Sequence, residues 1–383
     1  MITEEKKEES LNKRIIAARE TAGFSITEAA QKLGFKNYQT LSAIEKGLRK
    51  INAHELISIA RLYGRNLDYF LESDIAPDPI PLWRKAVKTD VHQVQRQFLS
   101  FLENYSSLEN LLGLKRRWKD ILKNYDRDDF SDNGFEQADK LGAETQDFLD
   151  LGSRPSLNLF NVLENKLRFK ILHLSLGDSI SGASLVDNKL GVGMLINSDD
   201  APWRRNFDLA HELFHVITWN VFSHEEIGTG ATKTRPEKCA DIFASGLLLP
   251  EIHLRDALKE TVTDNKLRLI DIVELAKDFG VSTEAVLWRL VNLKILKKPQ
   301  AQKVLDNPEL RDLDRNIRQG LYNTDRPSKF PSRFISLACR CLMEGRISRG
   351  TFAEYLEIDR AEIDDYLTDA GFGEGNYAKI APA

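Results

Sequence analysis

The stretch His211-Glu212-Leu213-Phe214-His215 decides how this chain is read. Residues four apart on a helix share a face, so His211 and His215 can present two imidazole nitrogens to one metal ion. Glu212 stands one step round that helix, placed to take a proton from water held at the ion. Ser198-Asp199-Asp200 followed by Pro202 predicts a helix start, which puts both histidines well inside a helix running to about Trp219.

Two nitrogens are too few for a catalytic zinc ion, which takes three protein ligands and keeps a fourth position open. An extended pattern with another histidine six residues on would place it at Val221, so that reading fails. His224 lies nearby, in a predicted loop. Glu237 is the better candidate, at the start of a second predicted helix from Glu237 to Ser245. Two accounts of it stand side by side. In one, Thr234-Arg235-Pro236-Glu237 is a capping box and Glu237 caps its own helix. In the other, Glu237, Ala240, Asp241 and Ala244 share a face, and the small alanines let that face close on the histidine helix, carrying the carboxylate to the metal. Asp208 and Asp241 are candidates to orient the imidazoles, and His224, Arg204 and Arg205 to stabilise an oxyanion.

Upstream of the motif, Phe160 to Leu167 predicts a helix, and the alternation from Arg168 to Leu176 predicts a strand. Ser181 to Val186 and Gly191 to Asn197 are further short strands bounded by Gly, Asp and Asn. Val192 to Asn197 is expected at the edge of the sheet beside the cleft, able to hold a peptide by β-augmentation. From Val91 to Leu112 a heptad-like stripe of Val91, Val94, Phe98, Phe101, Tyr105, Leu108 and Leu112 predicts a helical hairpin packed on the following domain, and offers a dimerising element.

Towards the N-terminus, Leu11 to about Leu71 reads as short helices. Leu11, Ile15, Ile16 and Ala18 stripe the first, which stops at Gly23. Ser25-Ile26-Thr27-Glu28 has the form of a capping box and opens a second helix ending at Gly34. A third spans about Asn37 to Lys46, with Leu41 and Ile44 inward. Leu56, Ile59, Ala60 and Leu62, then Leu67 to Leu71, are expected in the core of two more. Pro77-Asp78-Pro79-Ile80-Pro81 cannot continue a helix and marks a linker.

The whole-chain balance, 54 Lys and Arg against 58 Asp and Glu, gives a net charge of −4 and argues against nucleic-acid affinity spread over the whole chain, leaving room for a local basic surface. Cys239, Cys339 and Cys341 make neither a disulfide framework nor a zinc pattern, and an odd count suits a reducing compartment. Met1 to Asn12 is polar and charged, without the apolar core of a signal peptide, and no run is long enough to span a bilayer. The expectation is a cytoplasmic protein with no membrane partner.

Two resemblances follow from these residues. Ala30, Leu33-Gly34, Ile44-Glu45-Lys46-Gly47, Ile59-Ala60 and Leu67-Asp68-Tyr69-Phe70-Leu71 resemble the phage-repressor-like (XRE/Cro) helix-turn-helix family over about 60 residues. That resemblance implies that the third helix enters the major groove of double-stranded operator DNA, with Asn37, Tyr38, Gln39 and Thr40 at base edges and Ser42 and Ala43 close by. Lys32, Lys36, Lys46, Arg49 and Lys50 would meet phosphates. Ile26 stands where the family usually has a phosphate-contacting Gln, and the segment from Gly34 to Glu45 is one residue longer than the commonest form.

The second resemblance runs from about Phe160 to Leu296. Arg205-Asn-Phe207-Asp-Leu209-Ala210-His211-Glu212-Leu-Phe-His215, then Glu237-x-x-Ala240-x-x-Phe243-Ala244-x-x-Leu247-Leu248-Leu249-Pro250, is similar to the ImmA/IrrE zinc peptidases. It implies His211, His215 and Glu237 as ligands of Zn2+ and Glu212 as the general base. Phe214 departs from the Gly found in many members and is expected on the buried side of the helix.

The expected fold is mostly α with a small β-sheet (α+β). It divides into a helix-turn-helix domain (1–73), a linker (74–82), a helical connector (83–150), a zincin-like peptidase domain (151–297) and a helical C-terminal region (298–383) with a packing role and a loose, Gly-containing end. The expected function is a DNA-binding regulator carrying a zinc endopeptidase that cleaves a repressor-type protein, partner or self, in a stress or mobile-element response. A homodimer would match two DNA half-sites. The alternative is a non-proteolytic regulator whose peptidase-like domain senses a ligand or metal, although a pure sensor has no need of Glu212.

Overall fold

The computed structural model describes residues 4–71, 81–83, 91–115, 118–121, 125–131, 134–177, 180–227, 233–261, 267–322 and 326–372. The predicted linker lies outside the described residues up to residue 80, and so does the C-terminal end from residue 373.

The N-terminal bundle comprises α1 (Glu4–Thr21), α2 (Ile26–Lys32), α3 (Tyr38–Glu45), α4 (Ala53–Tyr63) and α5 (Leu67–Leu71). Both bonds of the predicted capping box form: Ser25 N donates to the Glu28 carboxylate at 2.9 Å, and Glu28 N to Ser25 Oγ at 3.2 Å. Ile15, Ala18, Ala29, Ala30, Leu41, Ile44, Ile59, Ala60, Tyr63 and Phe70 make its core. Arg19 Nε donates to Glu45 Oε1 at 2.7 Å and ties α1 to α3. At α5 the structure corrects the expectation. A five-residue helix has one inward face, and Phe70 takes it, leaving Leu67 39% and Leu71 68% exposed.

A four-stranded sheet stands at the centre of the rest, in the order β1-β3-β4-β2, from β1 (Leu82–Trp83), β2 (Lys170–Leu174), β3 (Gly182–Asp187) and β4 (Gly191–Asn197). β2 runs parallel to β4, while β3 is antiparallel to both β4 and β1. The expected edge strand Val192 to Asn197 is therefore internal: β4 is paired on both sides and buried along its whole length. Burial on both faces is why its residues run apolar without strict alternation. β1, straddling the end of the predicted linker and the start of the connector, is not legible as a strand, because two residues carry no period.

Helices cover both faces. Ile171, Val192, Met194 and Ile196 belong to one apolar cluster with α9 (Pro202–Ile217) and α11 (Arg235–Leu248), and Leu172, Leu174, Ala183, Leu185 and Leu195 to another. α6 (Val91–Leu111) packs into that second cluster through Phe98, Phe101, Tyr105 and Leu108. α7 (Gly134–Leu149) goes to the first cluster, against α11. The expected hairpin is thus parted by the sheet, and its stripe, proposed above as a dimer contact, is covered within the chain.

α8 (Pro155–Asn161) continues as a π-helical turn through Lys166. After α9 come α10 (His224–Ile227), α11, α12 (Glu251–Thr261), α13 (Leu269–Asp278), α14 (Thr283–Asn292), α15 (Lys298–Leu305) and α16 (Pro308–Tyr322). The last elements, α17 (Ser332–Met343), α18 (Arg349–Leu356) and α19 (Ile363–Asp369), close the second cluster beside α6. Arg333 bonds Glu109 at 2.7 Å and Tyr105 at 3.0 Å, joining α17 to α6 through buried polar groups. Among the described residues, no helix is long and apolar enough to cross a membrane.

Candidate metal centre

α9 carries the motif. Pro202 opens it at the first turn, but the N-cap is Ala201 and not one of the acids before it. Asp199 is engaged elsewhere, accepting from Ser175 Oγ at 2.6 Å and Gly177 N at 3.2 Å. His211, Glu212 and His215 are each at most 2% exposed. Phe214 points the other way, as expected, and packs on Phe130, Phe222 and Phe243.

α11 brings Glu237 to the histidines. Thr234 is its N-cap but makes no side-chain capping bond, so the capping-box account of Glu237 is not realised. The carboxylate faces α9 instead, with Oε2 3.3 Å from His211 Nε2 and Oε1 3.1 Å from His215 Nε2. The two Nε2 atoms are 3.2 Å apart. Ala240 and Ala244, fully buried, line the approach between the helices. On the far side α11 is held by glycines. A Cβ at Gly142 would stand 2.5 Å from Phe243 O, and one at Gly246 2.8 Å from Asp139 O, so α7 and α11 cross in backbone contact.

These distances fit a metal ion. Ligands at about 2.05 Å in tetrahedral geometry lie about 3.3 Å from one another; the two Nε2 atoms are separated by 3.2 Å, and each has one oxygen of the Glu237 carboxylate at 3.1–3.3 Å. His211 Nδ1 is 3.0 Å from Asp241 Oδ1, an arrangement that keeps its proton on Nδ1 and turns the Nε2 lone pair towards the centre. Lone pairs and a carboxylate converging in a buried site repel unless a cation lies among them. Burial would raise the Glu237 pKa, but ring protons on His211 and His215, standing in for such a cation, hold it well below the usual carboxylate range. Asp241 is also depressed against its own burial, by His211 and by Lys233, which is ion-paired to Oδ2. Among the described residues, His211, His215 and Glu237 are the group able to hold a metal ion.

The other candidates separate. Asp241 touches His211, whereas Asp208 is buried one turn earlier with Arg204 Nε 3.8 Å from its carboxylate. Arg205 donates to the carbonyls of Ser198 and Asp200, at the start of α9 and away from the cluster. The side chain of His224 lies outside the described residues. A cavity of about 740 Å3 lies elsewhere, between α4, α6 and α18, walled by Arg61, Asn104, Phe330 and Tyr355 among others. It holds none of the cluster residues, so converging side chains and not cavity size mark the chemistry.

At the other end of the molecule, Asn37 caps α3, its Oδ1 accepting from Thr40 N at 3.2 Å. Lys36, Asn37, Tyr38, Gln39 and Lys46 are exposed, and Thr40 and Ser42 half-buried, so each predicted contact residue is at least partly open to solvent. Ile26 packs against the bundle core.

Comparison with known proteins agrees with both halves. Residues 165–291 match the IrrE N-terminal-like domain model of the M78 peptidases, and residues 15–70 match a helix-turn-helix model. The HTH-type transcriptional regulator ImmR of Bacillus subtilis (strain 168) is 38% identical over 65 residues, which are 17% of this chain and 50% of that protein. The chain thus spans about half the length of the curated relative it matches. It carries an XRE-like helix-turn-helix domain and an IrrE-like M78 domain.

Proposed function

We propose that this chain is a cytoplasmic, DNA-binding transcriptional regulator carrying a zinc-dependent endopeptidase that cleaves a repressor-type protein, a partner or another copy of itself. The observation that carries this reading is the triangle of His211, His215 and Glu237 donors with Glu212 on the same helix. His211, His215 and Glu237 would hold the ion, a two-histidine, one-glutamate set of the kind that catalytic zinc uses. A zinc ion there would supply Lewis acidity, lowering the pKa of a water and polarising a carbonyl. Glu212 accepts the proton of the attacking water and delivers it to the departing amine. Asp241 fixes the His211 ring in the tautomer that binds metal, and Lys233 fixes Asp241.

The exposed start of α3 supports the DNA half of the proposal: Asn37, Tyr38, Gln39, Thr40 and Ser42 reach bases, and Lys36 and Lys46 meet phosphates of double-stranded operator DNA. Palindromic half-sites call for a homodimer, and its contact lies outside the covered stripe on α6. The chain divides, on this reading, into the bundle at 1–73, a linker at 74–82, a connector at 83–150, the peptidase domain at 151–297 and a helical region at 298–383.

Glu212→Gln tests the enzyme against a sensor. The variant is expected to keep its metal and its operator binding while cleavage of the co-expressed repressor falls at least about a hundredfold. Gene control unchanged in that variant would favour a domain that only senses.

A further inference from the structure

Pro81-Leu82-Trp83 follows the proline-rich stretch after the helix-turn-helix bundle, ten residues separating Leu71 from Leu82. Leu82 and Trp83 pair antiparallel with Ser184 and Ala183, on the side of β3 that faces away from β4. Gly182, the next residue of β3, lies against the motif helix: a Cβ there would stand 3.3 Å from Glu212 Oε1. The edge that β1 covers is therefore the edge of the sheet beside Glu212.

An extended peptide reaches such a glutamate by adding itself as a strand, since main-chain bonds position it without demanding a sequence. β4 closes the other side of β3, so this edge is the one a peptide can use. Opposed residues of an antiparallel pair point to the same face. Leu82, opposite Ser184, is thus directed to the face carrying α9 and is 5% exposed, while Trp83 packs against the second apolar cluster.

We infer that Leu82–Trp83 occupies the peptide-docking edge of β3 in cis, and that a protein substrate enters only by displacing it. The inference rests on the peptidase reading above and adds to it both an occupant and a substrate class, an extended segment with adjacent large apolar residues. A two-residue pairing suits the role, because so short a ladder holds an edge closed yet exchanges readily for a longer strand. It also places the occupant directly after the DNA-binding bundle, in the stretch of chain that joins it to the peptidase domain.

The test uses the full chain with Glu212→Gln, so that nothing is cleaved, and a fluorescent peptide of residues 79–88 of this sequence. Replacing Leu82 and Trp83 by glycine should tighten peptide binding at least tenfold, measured by anisotropy. Equal binding to the altered and unaltered chains would overturn the inference. A second variant, Leu82→Cys with Ser184→Cys, guards against misfolding. Oxidised, it should exclude the peptide; reduced, the same sample should bind it. Equal binding in both redox states overturns the proposal. Because both readouts are binding, they stand apart from the peptidase reading. Intact docking with no cleavage by the chain carrying Glu212 would sink the peptidase reading and leave the occupied edge.

Discussion

At His211 a single buried ring is fixed from both sides, by Asp241 at Nδ1 and by the cluster at Nε2. Asp241→Asn keeps the size of the side chain but weakens its hold on the ring proton. Metal affinity should fall about 10–100-fold with the fold intact, as competition with a chelator would measure. Unchanged affinity would reduce Asp241 to a surface acid paired with Lys233. A third buried histidine, His173 on β2, has no part in the cluster. Burial, with Arg205 nearby, pushes its pKa down to about 4. The folded value lies below the unfolded one of about 6.5. Its contribution to stability is therefore present above pH 6.5 and lost as pH falls towards 4, at most about 3 kcal/mol for a shift of this size. His173→Gln should flatten the stability profile between pH 6.5 and 4 in urea unfolding; the same slope in both proteins would contradict this.

Among the elements, α9 and the capping box of α2 were legible because each obeys a local rule: ligand spacing in one, reciprocal side-chain bonds in the other. Glu237 was legible as a candidate but not as a settled one. Thr234 to Glu237 satisfies the capping pattern equally well, and only the approach of α11 to α9 decides between them. The place of β4 inside the sheet and the strand at Leu82–Trp83 depend on pairing between distant segments, which no local period reports. The parting of α6 and α7 is of the same kind. So is the close crossing of α7 and α11, whose glycines read as ordinary helix-weakening residues until the partner backbone is in view. Gly142→Ala should destabilise the protein by about 1–3 kcal/mol, seen as a lowered Tm, and should loosen metal binding through the displaced Glu237. A variant as stable as the parent would show that the crossing has room to give.

Across the whole molecule, one sheet carries the peptidase-like site on the α9 face, while the opposite face holds α6 and the C-terminal helices, and the helix-turn-helix bundle stands outside both. Arg65 bonds Glu103 at 2.7 Å, a buried pair that joins the bundle to α6. Changes to DNA recognition and to the metal centre are therefore expected to separate by mutation. Gln39→Ala with Lys46→Ala should abolish operator binding in gel-shift titration and leave metal content unchanged; retained binding would move the reading surface away from α3. The central claim, that three side chains from two helices form one metal site, is tested most directly by metal analysis of purified chains after dialysis. The unaltered chain and Glu212→Gln are each expected to hold about one zinc ion, and Glu237→Ala close to none. A Glu237→Ala chain that retains as much metal as the unaltered one would contradict the account.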